Sequence, residues 1–217
     1  DLSALKTLAD YSKRAAAVYT QYGTQFKTRF KWLRSDLFRS DLAKDLTRDA
    51  AELFKVLQKA GKWDPDKDAK LDALHKLLTK THPKEKVIVF TQFADTVRYL
   101  EEQLRRRGVK NLAGVTGEDE DPTGYVWRFS PDSNNKRAII HTDSILRIIV
   151  ATDVLSEGHN LQDCAIVVNY DLPWAIIRLI QRAGRVDRIG QKWPNVLCYS
   201  FLPADGVNRI IRLRERV

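Results

Sequence analysis

The sequence contains no methionine, only two cysteines and four histidines, and no long apolar run. Cys164 and Cys198 lie far apart in apolar surroundings, and no histidine has metal-ligand spacing to a cysteine or to another histidine. We therefore expect two buried, reduced thiols and no metal site. We expect no membrane span, because no segment approaches the roughly 20 apolar residues that one needs, and no signal peptide at the start of the sequence. Because the chain starts at Asp1 and lacks methionine throughout, we expect it to be a piece of a longer protein.

The composition that is present is that of a globular protein with an excess of positive charge. The 217 residues are 43% hydrophobic and 30% charged, with a net charge of +9 and a pI near 9.6. The basic excess is concentrated in residues 26–34, where it alternates with aromatic side chains, and in residues 178–217. This charge predicts a polyanionic partner, although it does not specify a fold.

Apolar residues recur at helical spacing through the first part of the chain, residues 1–62. The pattern predicts helices over residues 2–22, 26–37 and 42–57, with Gly23 and Gly61 at the breaks. These helices could form a separate bundle or an appendage. A further helix is predicted from Asp68 to Lys80, where His82-Pro83 stops it.

The second part of the chain, residues 63–217, alternates short apolar runs with helical patterns. The predicted strands are residues 87–90, 112–115, 148–151, 165–168 and 196–199. A helix is predicted over residues 95–107, and helices are also expected around the turn at residues 130–134. Short β-branched runs alternating with helices predict an α/β fold, a parallel sheet covered by helices on both faces. In such a sheet ligands bind at the carboxyl ends of the strands.

The most informative stretch is Gln181 to Gln191, which combines arginine, glutamine and glycine. Gln181, Arg185 and Arg188 are four and three residues apart, so on a helix they lie toward one side and form a donor cluster suited to phosphate oxygens. We expect this helix to begin at Leu172-Pro173-Trp174 and to end at Gly190. Its stem is expected to be buried by four apolar residues, Ile176, Ile177, Leu179 and Ile180. The alternative is an ordinary basic, solvated helix face.

This stretch resembles motif VI of superfamily 2 helicases and translocases, with the pattern Q-x-x-G-R-x-x-R. The residues that follow, Arg188-Ile189-Gly190-Gln191, are similar to the SWI/SNF form of that motif. The resemblance implies a RecA-like lobe in which Arg185 and Arg188 act as arginine fingers on the γ-phosphate of ATP. It also implies that Gln181 positions that phosphate.

Residues 151–162 resemble motif V of the same superfamily. The resemblance implies that Thr152 contacts a nucleic-acid phosphate and that Gly158 lets the nucleotide approach. Asn160 would hold the loop between the two sites, at a position where DEAD-box relatives typically carry Asp. His159 departs from the aliphatic residue common at its place. A hydrolase triad of Ser156, His159 and Asp153 is disfavoured because the sequence has no G-x-S-x-G elbow.

Two further strand ends carry polar residues. Residues 89–93 are similar to motif IV of SWI/SNF-type proteins, which implies nucleic-acid contacts for Thr91 and Gln92. Thr116 follows the second strand and takes the same role by resemblance. An ordinary strand-to-helix turn explains Thr91 and Gln92 about equally well without the resemblance. The acidic residues 118–121 are interpreted as a solvated loop rather than as metal ligands.

The resemblance covers residues 70–202 and is nearest to the prokaryotic RapA-like branch of SWI/SNF relatives. Residues 1–62 could be the helical insertion that such proteins carry between their two motor lobes. The sequence has no G-x-x-x-x-G-K-[ST] loop and no D-E-x-H box. The chain alone is therefore not expected to hydrolyse ATP. ATP and Mg²⁺ would bind mainly to a first RecA-like lobe that lies outside it.

These observations lead to one main interpretation and two alternatives. The main interpretation is the second motor lobe of an ATP-dependent double-stranded DNA translocase, in the cytoplasm or on the nucleoid if bacterial, with RNA not excluded as the track. The first alternative is a non-catalytic nucleic-acid-binding module of the same fold. The second alternative is a nucleotide-sugar transferase, which does not explain the presence of Arg185 and Arg188.

Overall fold

Two units make up the chain, Asp1–Asp64 and Pro65–Val217. The computed structural model describes residues 5–28, 31, 33–156, 158–173 and 175–202. Within these ranges, none of the helices combines the length and the apolar character that a membrane crossing requires.

The described residues of the first unit form two α-helices, α1 (Leu8–Gly23) and α2 (Leu42–Ala60). Helix α1 starts with a capping box, in which the Thr7 hydroxyl accepts from the Asp10 N–H at 3.2 Å and the Asp10 carboxylate accepts from the Thr7 N–H at 2.9 Å. Gly61 adopts φ +68° and ends α2, as the sequence predicts. These two helices confirm the first and third helices predicted for this part of the chain.

The helix predicted over residues 26–37 is wrong for the described residues. They contain only a short 3₁₀ turn at Ser35–Leu37, while Phe30 lies outside the described residues. Arg34 Nε donates to Asp36 at 3.0 Å, and Arg39 Nε donates to Asp41 at 2.9 Å. Residues two apart do not face each other on a helix, so these local ion pairs favour turns.

A five-stranded sheet forms the centre of the second unit. Its strands are β1 (Val87–Phe90), β2 (Leu112–Val115), β3 (Ile148–Ala151), β4 (Ile166–Asn169) and β5 (Leu197–Ser200). All pairs are parallel, in the order β2-β3-β1-β4-β5. The first three strands have the predicted bounds, and the last two begin one residue later. The structure confirms the predicted parallel α/β sheet.

Side chains of the central strands alternate between two apolar layers. In β1, Val87 and Val89 point to one face, whereas Ile88 and Phe90 point to the other, and all four are fully buried. Leucines of the first two helices of this unit fill the first layer, and Val126 and Phe129 of the third enter the second layer. A strand buried on both faces explains why these runs are continuously apolar.

In the part of this unit that the structure describes, four α-helices accompany the sheet: α3 (Ala69–Lys76), α4 (Ala94–Arg106), α5 (Pro122–Phe129) and α6 (Ile176–Ala183). The Asp68 carboxylate caps α3 by accepting from the N–H groups of Lys70 and Leu71, both at 3.0 Å. After α3 the chain forms one π-helical stretch, Leu77–Thr81, and then stops at His82 as predicted.

Helix α6 differs from its prediction in both its bounds and its burial. It starts at Ile176 and ends at Ala183, seven residues before Gly190, and Trp174 lies outside the described residues. Ile176, Ile177 and Ile180 are 41, 57 and 61% exposed, so the predicted burial of the stem is wrong for them, while Leu179 is half-buried. The residue of α6 that faces the sheet is Arg182, which is completely buried.

The carboxyl ends of four neighbouring strands lie at one level. Thr91, Thr116, Thr152 and Tyr170 directly follow β1, β2, β3 and β4. The sheet hydrogen bonds continue into three of them, from the N–H groups of Thr91 to Ala151 at 3.0 Å, of Thr152 to Val115 at 3.0 Å and of Tyr170 to Phe90 at 2.8 Å. This edge brings together residues that are far apart in the sequence.

The two thiols have different environments. Cys164 is buried, and its Sγ donates to the carbonyl of Lys86 at 3.1 Å. Burial raises the pKa of the Cys164 thiol to about 12, so it stays protonated at neutral pH. Cys198 is exposed, which corrects the expectation that both thiols are buried, because β5 is covered less completely than the inner strands. Partial burial raises the pKa of Cys198 as well.

We expect a thiol reagent to distinguish these cysteines. At pH 8 the native chain should react with Ellman's reagent at Cys198 alone, because Cys164 is both inaccessible and protonated, and both should react in guanidinium chloride. Cys198→Ser should remove the native reaction, and Cys164→Ser should leave it. Two fast-reacting thiols in the native chain would contradict the described core.

Candidate functional site

A groove of about 560 Å³ opens at the carboxyl edge of the sheet. Its walls are formed by residues that follow β1, β2, β3 and β4, together with the start of α6: Gln92, Gly117, Thr152, Asp153, Val154, Pro173, Ala175 and Arg178. The groove therefore brings together two of the predicted nucleic-acid contacts, Gln92 and Thr152. Its position agrees with the rule that ligands bind at this edge of a parallel sheet.

Asp171 organises the wall that carries Gln92. Its carboxylate accepts from the hydroxyl of Thr91, from the Gln92 N–H at 3.4 Å and from the Lys70 ammonium at 3.1 Å. The Gln92 side chain donates to the carbonyl of Leu172 at 3.0 Å. These bonds fix the segment after β1 against the segment after β4, so the exposed Gln92 side chain is held at the groove.

Two of the predicted contacts have their side chains turned inward. Thr91 is completely buried and gives its hydroxyl to Asp171. Thr116 is 6% exposed, and its hydroxyl and N–H donate to the Asp119 carboxylate at 2.9 and 2.6 Å. Each hydroxyl would have to leave its carboxylate to bind a phosphate. In this arrangement they position the groove walls, and Gly117 rather than Thr116 lines the groove.

Sequence reasoning missed Arg182, a charged residue at the centre of the site. Its Nε donates to Asp153 Oδ1 at 2.7 Å, its Nη1 donates to Asn169 Oδ1 at 3.1 Å, and its guanidinium lies 5.2 Å from the centre of the Phe90 ring. Its side chain is 0% exposed. Nη2 is buried and has no hydrogen-bond partner among the described residues.

A buried guanidinium is stable only when carboxylates and hydrogen bonds compensate for its lost hydration. Arg182 therefore fixes α6 to the ends of β3 and β4. The available signal was a charged residue three positions after the half-buried Leu179, where helical spacing places the buried face.

The predicted arginine fingers lie on turns beyond α6 rather than on the helix. Gln181 is exposed, Arg185 is half-buried and Arg188 is exposed. The N–H groups of Val186 and Asp187 donate to the carbonyl of Ala183 at 2.9 and 2.8 Å, and Val186 is fully buried. The helix ends early because Val186 enters the core, and Arg185 and Arg188 lie on either side of this buried residue.

The loop after β3 is hydrogen-bonded to this arginine-bearing segment. The Leu161 N–H donates to the carbonyl of Arg185 at 3.2 Å, and the Gln162 side chain donates to the carbonyl of Ile189 at 2.7 Å. The Gln191 side chain donates to the carbonyls of Val186 and Cys164 at 2.8 and 2.9 Å. The two loops therefore form one connected body.

Gly158 and Asn160, the predicted nucleotide contacts, lie in that body. Gly158 has φ +75°, and the space where a Cβ would stand is open. The Asn160 side chain donates to the carbonyl of Ser133 at 2.9 Å, while its Oδ1 is buried without a partner among the described residues. Glu157, in the same loop, lies outside the described residues.

The described residues fit only part of a nucleoside triphosphate with its metal. The exposed guanidinium of Arg188, the open backbone at Gly158 and the unpaired Oδ1 of Asn160 are donors and acceptors suited to phosphate and ribose. No group of three His, Cys, Asp or Glu side chains able to hold a metal ion occurs in the described part of the chain.

Comparison with known proteins gives a family match over more than half of the chain. The model of the helicase conserved C-terminal domain matches residues 69–190. An uncharacterised ATP-dependent helicase, YqhH of Bacillus subtilis, is 33% identical over 111 residues, which are 50% of this chain and 17% of the relative. The ATP-dependent RNA helicase SrmB of Haemophilus influenzae is 29% identical over 160 residues, which are 72% of this chain and 33% of the relative. The chain thus spans a third or less of these two relatives.

Solved structures share the fold at low sequence identity. The C-terminal part of the Fun30 ATPase domain covers 79% of this chain and is itself covered to 53%, with a TM-score of 0.54 and 20% identity. The Hef helicase domain of Pyrococcus furiosus covers 82% of this chain and is covered to 33%, with a TM-score of 0.50 and 20% identity. These likenesses show a common sheet architecture.

The burial of Arg182 leads to a stability prediction. Arg182→Ala leaves the Asp153 carboxylate without its buried partner and should lower the free energy of unfolding by about 3–5 kcal/mol, measured by urea denaturation. The matched control is Arg106→Ala on α4, whose exposed guanidinium lies 2.7 Å from Glu102 and which should change stability by at most about 0.5 kcal/mol. Equal unfolding midpoints for the two variants would show that Arg182 does not fix α6.

Proposed function

The chain belongs to the helicase conserved C-terminal domain family of superfamily 2, and from that premise we propose that it is the second motor lobe of a longer ATP-dependent helicase or translocase. The observation that carries the proposal is the Asp153–Arg182 ion pair. Asp153 lines the groove, and Arg182 lies three residues before Arg185. One pair therefore connects a surface suited to nucleic acid with a segment suited to phosphate.

In the proposed function Arg185 and Arg188 extend toward ATP held mainly by a first RecA-like lobe. ATP with Mg²⁺ supplies the phosphoanhydride bond whose cleavage drives the motor. The two guanidiniums stabilise the charge that develops on the transferred phosphoryl group, and Gln181 orients it. Gly158 and Asn160 bind the nucleotide from the loop after β3. The absence of a phosphate loop from this sequence supports the assignment of that part to another lobe.

Nucleic acid occupies the groove in this proposal. Thr152 and Gln92 bind the backbone, while Thr91 and Thr116 position the loops through Asp171 and Asp119. Contacts to phosphate and sugar position a duplex without reading its sequence, so binding should be strongly salt-dependent and weakly sequence-selective. The net charge of +9 supports an anionic track.

Double-stranded DNA is the proposed track, on a SWI/SNF-related, RapA-like motor. Support comes from the RIGQ sequence at residues 188–191. In the structure the Gln191 carboxamide donates to the carbonyls of Val186 and Cys164, and so connects the segment after α6 to the segment that precedes β4. The DEAD-box ATP-dependent RNA helicase 35A of Oryza sativa and SrmB of Haemophilus influenzae are relatives named as RNA helicases, and RNA is therefore the competing track. Residues 1–62 fit a helical insertion between the two lobes.

The finger assignment is tested in the full-length protein that contains this lobe. Arg185→Ala and Arg188→Ala should each lower the nucleic-acid-stimulated ATPase rate by about 10³-fold or more, because charge on the transferred phosphoryl group is no longer compensated. The control is Arg106→Ala, at the other end of the sheet. Turnover near that of the wild type in both finger variants would refute the assignment and favour a non-catalytic nucleic-acid-binding module.

The track is tested with the chain itself by fluorescence anisotropy. Duplex DNA should bind more tightly than single-stranded RNA of equal length, and Thr152→Val should weaken duplex binding about tenfold by removing one backbone hydrogen bond. Thr142→Val, in the exposed turn Thr142–Ser144, is the matched control. Tighter binding of RNA would place the chain with the RNA helicases.

A further inference from the structure

Arg178 stands on the wall of the groove and is absent from the motifs that the sequence resembles. Its side chain is 55% exposed, and its Nη1 donates to Asp153 Oδ2 at 2.9 Å. The other oxygen of the same carboxylate accepts from the buried Arg182 at 2.7 Å. One carboxylate thus joins an arginine in the groove to an arginine in the core.

The charges at this point favour an anionic ligand. Asp153 itself lines the groove and would repel a phosphate, but Arg178 and Arg182 outnumber it and leave one positive charge. Arg178 also lies in the first turn of α6, where a cation opposes the helix dipole and no acidic residue of that turn compensates. A phosphate in the groove would neutralise the excess positive charge and would also offset the unfavourable interaction of Arg178 with the helix dipole.

The ion pair of Arg178 is the one that can be exchanged. Exposed pairs contribute little to stability and are easily replaced, whereas a buried pair is strongly held. A guanidinium binds a phosphate with two parallel hydrogen bonds, a geometry that matches its bond to a carboxylate. An incoming phosphate therefore competes with Asp153 for Arg178 and not for Arg182.

From these contacts we propose that Arg178 binds a backbone phosphate of a polynucleotide in the groove and reports that contact to the segment after α6 through Asp153. When Arg178 turns to the phosphate, the Asp153 carboxylate is no longer shared between two guanidiniums. Its bond to Arg182, which holds the segment carrying Arg185 and Arg188, then becomes stronger. The inference rests on the proposed function, because it takes the groove to be the nucleic-acid site. The inference adds Arg178 to the nucleic-acid contacts. It also gives a physical route by which bound nucleic acid changes the position of the segment that carries Arg185 and Arg188.

The test uses the chain as it stands, with a fluorescein-labelled duplex DNA of 20 base pairs between 50 and 200 mM KCl. Arg178→Gln should weaken binding about tenfold at the lower salt concentration and reduce the slope of log K against log salt by about 0.9, the value of one phosphate contact. Arg178→Lys should restore the slope, since it keeps the charge. Arg106→Gln, an exposed arginine at the opposite edge of the sheet, should bind like the wild type.

The second readout follows Arg182 directly, through the assigned Nε–H resonance of its side chain in a ¹⁵N-labelled chain. Adding duplex should shift this resonance in the wild type and leave it in place in Arg178→Gln. Unchanged affinity and slope in Arg178→Gln would overturn the inference while leaving the proposed function intact, because the wild type would still bind. If the Arg182 resonance shifts equally in the wild type and in Arg178→Gln, the proposed coupling of Arg178 to Arg182 through Asp153 is wrong. Failure of the wild type to bind any polynucleotide would overturn the proposed function itself.

Discussion

The burial of one arginine against one aspartate is the constraint on which the described site depends. Arg182 has no access to water, and its main compensation is the Asp153 carboxylate at 2.7 Å. The carboxamide of Asn169 and the ring of Phe90 complete its surroundings. Since an uncompensated buried charge is costly, the loop after β3, the end of β4 and helix α6 must keep their relative positions.

The parallel sheet is what allows that pair to form. Asn169 ends β4, Phe90 ends β1 and Asp153 lies two residues after the end of β3, so residues at the carboxyl ends of three strands meet at one place. The register aligns Phe90 with both Ala151 and Asn169. A continuous core on both faces makes this edge rigid, and the loops that extend beyond it carry the polar side chains.

Hydrogen bonds then extend the arrangement away from the sheet. Leu161, Gln162 and Gln191 tie the loop after β3 to the segment after α6. The groove and the segment that bears Arg185 and Arg188 thus belong to one connected body on two sides of Arg182. A ligand that changes the electrostatic environment of Asp153 therefore affects both the groove and the segment that bears Arg185 and Arg188. Such a shared contact is how two sites can be coupled.

Much of the sheet could be predicted from the sequence, because short β-branched apolar runs such as Val87 to Phe90 are typical of a strand covered on both faces, and they alternate with helical patterns. The helix predicted over residues 26–37 failed in the described residues, where the local ion pair between Arg34 and Asp36 favours a turn instead. Periodicity placed the isoleucines of α6 inside, since it assumes that apolar residues face the core. Arg182 is the buried residue instead, because Asp153 after β3 and Asn169 at the end of β4 bind its guanidinium. These partners are distant in the sequence, so the local pattern of α6 does not reveal them.

Some of the predicted site residues also lie where the sequence placed them, whereas others are held by contacts that the sequence does not reveal. Thr152 and Gln92 reach the groove as strand-end residues should. Thr91 and Thr116 stand at equivalent strand ends, yet Asp171 and Asp119 take their hydroxyls. Whether a hydroxyl faces a ligand or a neighbouring carboxylate depends on contacts between segments, which the order of residues along one strand does not reveal.

The most direct test of the central claim is hydrogen–deuterium exchange over residues 184–191 in Asp153→Asn, which keeps the size of the side chain and removes its charge. If the Asp153–Arg182 pair holds this segment, its amides will exchange faster in the variant than in the wild type, although the substitution lies in a different loop. Faster exchange confined to the residues around position 153, with residues 184–191 unchanged, would contradict the account.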